Sequence, residues 1–342
     1  MNNKLLISGV LGLGTCMIYT PIHAGEAQAQ SKPNVLIIYT DDMGAGDVSF
    51  LNNGWVKTPN IDKLASGGLI VTNYYSSSPV SSPSRVGLTT GRFPTEMGIN
   101  CYLQTRKGNT ACEQFDYLDA SVPTMAKVMK SAGYTTGHFG KWHMGGGRDV
   151  IDAPQITEYG FDEYISTWES PNPDPVITDS AWIWSRTDQV KRWDRTAYFV
   201  DKTLDFLKRH KGEPCFVNLW PDDMHTPWVP SQKTMDSERT SWTTPPNFKE
   251  VLTEYDKQIG RLMEGLTKLG LEKNTIVIFT SDNGPAPSFQ QMRTNSLLGV
   301  KCSLYEGGIR MPFAIHWPEK IKAGGINQYA ETLADAYRHG NT

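Results

Sequence analysis

Two strand-like runs end in acids. Asn34 to Thr40 (NVLIIYT) leads into Asp41-Asp42, and Thr275 to Thr280 (TIVIFT) leads into Ser281-Asp282-Asn283-Gly284. Each run is continuous, apolar and rich in β-branched residues, as a strand buried on both faces must be. In open α/β sheets, ligands bind beyond the carboxyl ends of the strands. Three carboxylates and an amide oxygen delivered there are hard donors, suited to Ca2+ or Mg2+. No close set of His or Cys accompanies them, which argues against zinc or copper. Taken singly, Asp41-Asp42 reads equally as a cap and Asp282-Asn283-Gly284 as a turn. Their occurrence at two equivalent strand ends favours a metal site.

A third segment, Ser81 to Arg92 (SSPSRVGLTTGR), follows another strand-like run and places Pro83 where the first turn of a helix accepts it. A helix N-terminus offers unpaired N–H groups and a positive dipole end, a cradle for an anion. Ser81 falls beside that cradle, with Arg85 one turn further on. A bare hydroxyl is a weak nucleophile and needs a base or a metal to activate it. The alternative is a Ser-rich loop that caps a helix.

These residues need a frame. Leu69 to Tyr75, Tyr134 to Phe139, Cys215 to Leu219 and Phe313 to Trp317 read as further strands. Asn60 to Ser66 and Val122 to Ala132 read as helices, the second with Pro123 in its first turn and Gly133 as its stop. Thr196 to His210 places Ala197, Val200, Leu204 and Leu207 on one face. Asn247 to Leu269 is the longest helix, with a stripe of Leu252, Tyr255, Ile259, Leu262 and Leu266. No repeat or low-complexity linker interrupts the alternation. The expected fold is α/β: a largely parallel central sheet with helices on both faces.

The 342 residues are 39% hydrophobic and 20% charged, which rules out wholesale disorder. Lys plus Arg number 33 against 36 Asp plus Glu, so the chain lacks the basic footprint of a nucleic-acid binder. Ten Trp and fourteen Tyr suit a large core and surfaces on which sugars stack. Residues 1–29 have the layout of a secretory signal peptide: Lys4, an apolar run from Leu5 to Tyr19, then Ala27-Gln28-Ala29 as a cleavage site, with Ala24 as an earlier option. Leu13 to Cys16 only faintly resembles a lipoprotein box, because Thr15 is bulky. No later stretch is long enough to span a membrane. The mature chain from residue 30 is therefore expected to be exported, to a bacterial periplasm or cell surface. There Cys101 and Cys112, flanking a polar loop, either bridge or stay free. No C-x-x-C spacing suggests structural zinc.

The ordered motifs resemble those of the sulfatase family. Its signature opens on Cys or Ser, then any residue, Pro, Ser and Arg, and closes on Thr-Gly-Arg. Ser81, Pro83, Ser84, Arg85, Leu88, Thr90, Gly91 and Arg92 match in register. Gly133 to His143 (GYTTGHFGKWH) is similar to a second signature. Asp41-Asp42, Met224-His225-Thr226-Pro227, Ser281 to Gly284 and Lys301 to Arg310 follow in family order.

The resemblance implies an alkaline-phosphatase-like α/β fold and hydrolysis of sulfate esters. It implies that Ser81 is oxidised to formylglycine, whose hydrate is the nucleophile. A Ser at this position looks like the bacterial subgroup matured by an anaerobic radical enzyme. Asp41, Asp42, Asp282 and Asn283, with residue 81, would hold one divalent cation, Ca2+ by analogy. Arg85 would support the nucleophile, and Lys141 and Lys301 would meet sulfate oxygens. His225 is a candidate to protonate the leaving alcohol. His143 is a candidate base when the enzyme-bound sulfate ester collapses. His138, inside a strand, is read as structural, and Glu306-Gly307-Gly308 as the element that positions Lys301. Export and the aromatic supply point to a carbohydrate sulfate rather than an aryl one.

Family members usually continue into a smaller C-terminal domain. Here Arg338-His339 stands where Pro-Thr is usual and the sequence stops at Thr342, so that domain is expected to be truncated or missing. Such a chain is expected to expose apolar sheet surface and to be less soluble than a longer one. Two other readings remain. One is a phosphatase or phosphonate hydrolase on the same fold. The other is a non-catalytic binder of sulfated glycans, if Ser81 is not oxidised or the truncated chain is inert.

Overall fold

The NVLIIYT run forms the spine of a mixed sheet in the computed structural model, which describes residues 32–52, 54–178 and 185–332. The expected signal segment, residues 1–29, and the expected C-terminal departure from residue 333 onward lie outside the described residues. In chain order the regular elements are β1 (Asn34–Thr40), α1 (Pro59–Ser66), β2 (Leu69–Tyr75), α2 (Ser81–Thr90), α3 (Arg106–Ala111), α4 (Met125–Ser131), β3 (Thr135–Gly140) and β4 (Glu163–Ser166). They continue as α5 (Arg195–Arg209), β5 (Cys215–Trp220), α6 (Gln232–Asp236), α7 (Pro245–Leu269), β6 (Thr275–Ser281), α8 (Glu306–Ile309), β7 (Arg310–Met311), β8 (Phe313–His316) and β9 (Gly325–Thr332).

The sheet order is β4-β3-β5-β1-β6-β8-β2-β7, with β9 also paired to β2. Strands β4, β3, β5, β1 and β6 run parallel, whereas β8 is antiparallel to both β6 and β2. Alternation along β1 explains why the whole strand is apolar. Leu36 and Ile38 face one core with α1, α5 and α7, through Leu64, Phe206 and Leu262. Ile37 and Tyr39 face the other with α2 and α4, through Val86 and Ala126. Helices therefore cover both faces, as expected.

Register places the chemistry. Thr40 lies opposite Ser281 in the β1–β6 pair, so Asp41 and Asp282 emerge side by side. Gly140 lies opposite Trp220 in the β3–β5 pair, which brings Lys141 to the same edge.

Three local expectations need correction. The helix expected from Val122 begins at Met125, because Thr124 caps it by accepting a hydrogen bond from the Lys127 N–H at 3.2 Å. Pro123 thus precedes the helix. The buried stripe of α5 is Phe199, Val200, Thr203, Phe206 and Leu207, so Ala197 and Leu204 lie at its margin. β4 and β9 were not expected. Cys101 and Cys112 are free thiols. Among the described residues no helix is long and apolar enough to cross a membrane.

One buried ion pair fixes the loop after β1. Arg293 donates from Nε and Nη2 to Asp47, and Nη2 also reaches the Asp42 carbonyl at 2.7 Å. Its guanidinium lies against the rings of Phe248 and Trp228, 4.5 and 5.2 Å from their centroids. Arg293→Ala strands the Asp47 carboxylate in the core. It is expected to lower stability by about 3–5 kcal/mol, measured by urea denaturation; an unchanged midpoint would contradict this role.

Candidate active site

α2 begins at Ser81, with Pro83 inside its first turn, and ends at Gly91, where φ is 67° and the N–H returns to the Gly87 carbonyl. Only glycine adopts that conformation without strain. The Ser81 hydroxyl therefore lies at the helix N-terminus, among unpaired N–H groups. It contacts Asp41 Oδ1 and Asn283 Oδ1, each at 3.2 Å.

The acids converge around it. Carboxylate oxygens of Asp41, Asp42 and Asp282 lie within 4.8 Å of one another, and all three residues are buried. Asp42 N–H donates to Asp282 Oδ1 at 3.0 Å, and Asn283 Nδ2 donates to Asp42 Oδ1 at 2.7 Å. Burial, and then the neighbouring Asp41, push the Asp282 carboxyl up to about 7. Three desolvated carboxylates so close together demand cations. Oxygen-only donors of this kind fit Ca2+ or Mg2+.

Cations surround the acids. Arg85 Nη2 reaches Asp282 Oδ2 at 2.9 Å and Asp41 Oδ1 at 3.3 Å, and its guanidinium packs near the Tyr39 and Trp220 rings. Lys141 Nζ lies 2.9 Å from Asp41 Oδ2, and Lys301 Nζ 2.6 Å from Asp42 Oδ1. Burial opposes ionisation of Asp41, but Lys141, His225 and Arg85 outweigh it and hold the carboxyl well below its ordinary range. Lys301 stays charged because Asp42 and Asp41 outweigh its burial.

Backbone hydrogen bonds tie the Lys301 loop to the turn after β6. The Gly284 N–H donates to the Gly308 carbonyl at 2.9 Å, and the Lys301 N–H to Pro285 at 2.9 Å. A Cβ on Gly308 would fall 1.9 Å from the Ser303 carbonyl oxygen, so a side chain there would displace the loop.

A cavity of about 300 Å3 opens over this cluster. Ser81, Asp41, Lys141, His143, His225 and Lys301 all line it. Every expected site residue thus belongs to one constellation, with Asp42, Arg85, Asp282 and Asn283 directly beneath. His225 Nδ1 lies 2.6 Å from the Thr226 carbonyl, so Nδ1 carries the hydrogen, and Nε2 faces Asp42 Oδ2 at 3.7 Å. Burial, followed by Lys301, lowers the His225 pKa. His138 is packed edge-on against Trp142, Phe161 and Trp220, and burial pushes it down to about 3, in keeping with a structural role.

Among the further lining residues, three charged ones were not anticipated: Glu169, Arg148 and Asp222. Asp222 follows β5 as Asp41 follows β1, and the strand-end rule applied to Trp220-Pro221-Asp222 would have found it. Its Oδ2 is held by Arg192 and Arg195 at 2.6 and 2.8 Å. Glu169 lies beyond β4, and Arg148 pairs with it at 3.1 Å.

The chain is similar to known proteins over most of its length. An N-acetylgalactosamine-6-O-sulfatase of Bacteroides thetaiotaomicron is 29% identical, over 93% of this chain and 73% of its own length. The human N-acetylgalactosamine-6-sulfatase is 30% identical, over 92% of this chain but only 62% of its own length. A solved structure from work on glycosaminoglycan metabolism by Bacteroides thetaiotaomicron aligns with a TM-score of 0.73 at 28% identity, covering 90% of this chain and 76% of that one. The phosphonate monoester hydrolase of Agrobacterium radiobacter aligns at 0.63 with 19% identity, over 89% of this chain and 72% of that one, a likeness of fold alone. The sulfatase family model matches residues 33–338. With that pattern running through nearly all the described residues, the protein belongs to the sulfatase family.

Proposed function

We propose that this protein is an exported hydrolase of sulfate esters on carbohydrates. The observation that carries the proposal is the position of Ser81. Its oxygen sits at the start of α2, 3.2 Å from both Asp41 and Asn283, on the floor of a cavity whose walls hold Lys141 and Lys301. Asp41, Asp42, Asp282 and Asn283, with residue 81, would hold a divalent cation, which withdraws charge from a bound sulfate. Oxidation of Ser81 to formylglycine by a radical maturation enzyme would supply a second hydroxyl on one carbon, so that sulfate is expelled without outside water.

The remaining work falls to unmodified side chains. Lys141 and Lys301 bind and orient the sulfate oxygens, where their charge stabilises the transferring group. Arg85, buried between two aromatic rings, fixes Asp282 and Asp41, and Asp41 in turn meets the hydroxyl of residue 81. His225 must first take up a proton on Nε2, which burial opposes and Asp42 and Asp41 favour, and it then delivers that proton to the departing sugar oxygen. His143 takes a proton from the pocket. The N-acetylgalactosamine-6-sulfatases among its relatives make a 6-sulfated amino sugar the first substrate to test.

Free sulfate should be released from such a sugar, and phosphate should not be released from the matching phosphate ester. Preferential phosphate release would favour the phosphohydrolase reading instead. Tight binding without turnover, in protein whose Ser81 is oxidised, would favour the glycan-binding reading. His225→Ala should separate leaving groups. A sugar alkoxide needs a proton as it departs and should lose about 10²–10⁴-fold in kcat. 4-Nitrophenolate leaves unaided and should lose far less. Equal losses on both esters would remove His225 from the acid role.

A further inference from the structure

The backbone dictates the state of His143. Its Nε2 lies 3.0 Å from the Leu103 carbonyl oxygen. A carbonyl only accepts, so Nε2 carries the hydrogen. In the neutral ring the lone pair is then on Nδ1, and Nδ1 is the atom that takes up a proton.

Facing Nδ1 at 3.3 Å is Oε2 of Glu169. A lone pair and a carboxylate oppose each other until a proton comes between them. They then form a charge-assisted pair. Glu169 is itself held in place. Its Oε1 accepts from Arg148 Nη2 at 3.1 Å, and its main-chain carbonyl accepts from the His143 N–H at 2.9 Å. That second bond matters because His143 has φ of 53°, a region costly for a residue with a Cβ.

The other charged groups facing the ring are Lys141, from the same loop, and Arg85, from α2. Both oppose protonation. Burial opposes it most and pushes the ring down to about 3. Among these charged groups only Glu169 favours the imidazolium.

We propose that Glu169 is a positioning residue of this site, anchoring the His143 loop through its main-chain carbonyl and stabilising with its carboxylate the imidazolium formed when Nδ1 takes a proton from a hydroxyl in the pocket. In that step the O–H bond breaks and its electron pair stays on oxygen. An Nδ1–H bond forms, Glu169 remains ionised throughout, and nothing is oxidised or reduced. The inference rests on the sulfatase reading only for the identity of that hydroxyl.

Two measurements test it. The first is the 15N spectrum of histidine-labelled wild-type protein, with His143 assigned by its loss in His143→Gln. A neutral ring protonated on Nε2 is expected; protonation on Nδ1 would overturn the proposal. This measurement needs no turnover, so it stands even if the wild-type protein releases no sulfate, a result that would sink the functional reading alone.

The second is the kinetics of E169Q and E169D with a sulfate ester. E169Q should lower kcat about 10–100-fold while KM moves less than about threefold. Without the carboxylate the imidazolium is less favoured and the ring pKa falls. The acid limb of the kcat profile should therefore move to lower pH, and E169D should recover part of both effects. A kcat within about twofold of wild type would overturn the proposal. So would a loss of kcat with the pH limb unmoved, because a merely structural role predicts that result. Should E169Q fail to fold, E169D decides, because it draws the carboxylate back from Nδ1 by one methylene: a kcat and pH limb both at wild-type values in E169D would overturn the proposal.

Discussion

Ser81→Ala is expected to abolish sulfate release, by at least ~10⁴-fold, while leaving the melting temperature close to wild type. The residue is buried at the first position of α2, and alanine is at least as good a helix former there. What disappears is the oxygen between Asp41 and Asn283. The stronger form of the prediction concerns the modification. Protein made without a serine-competent maturation enzyme should bind substrate and turn over little. Protein made with it should contain a Ser81 peptide lighter by one H2, with activity proportional to that fraction. Multiple turnovers from protein whose Ser81 peptide has its unmodified mass would overturn the formylglycine mechanism. The family assignment, which rests on the whole chain, would survive.

The strand ends were the most legible feature of the sequence. A run such as NVLIIYT is apolar throughout only when both faces are covered, and β1 is covered by two separate cores. Its last residues therefore point to a crevice, and Asp41 and Asp42 were found by that logic alone. The Ser81 segment was ambiguous in isolation, since a capped Ser-rich loop has the same composition. Its ordered partners removed the ambiguity.

What stayed hidden depends on contacts distant in sequence. β4 has four residues, three of them half-buried, and carries no strong alternation. Missing β4 meant missing Glu169 just beyond it. β9 is polar and largely exposed along Gly325–Thr332, and only its pairing with β2 defines it as a strand. The start of α4 turned on whether Pro123 or Thr124 opened the helix, a choice settled by one hydrogen bond. The tautomer of His143 depends on a carbonyl forty residues away, which no local pattern encodes.

Removal of divalent metal should be as damaging as loss of Ser81, and the charge of the site explains why. Asp41, Asp42 and Asp282 are opposed by Arg85, Lys141 and Lys301 at distances of 2.6–3.3 Å. Three carboxylates against three cations leave little net attraction for an anionic sulfate ester. A divalent cation held by Asp41, Asp42, Asp282 and Asn283 would tip that balance positive and would leave Lys141 and Lys301 to meet sulfate oxygens. Dialysis against chelator should therefore weaken substrate binding as well as abolish turnover. Ca2+ or Mg2+ should restore both better than Zn2+, because every donor is oxygen. The metal should also raise the melting temperature. At a concentration near 100 times its Kd, mass action stabilises the folded state by about 2.7 kcal/mol. A lysine variant separates the two roles. Lys301→Ala should leave metal binding intact, or tighten it by removing a competing cation from Asp42, while raising KM for the sulfate ester. Full activity in excess chelator, with no metal found by elemental analysis, would sink the proposed metal site. Loss of metal binding in Lys301→Ala would show that the lysine supports the acids rather than the substrate.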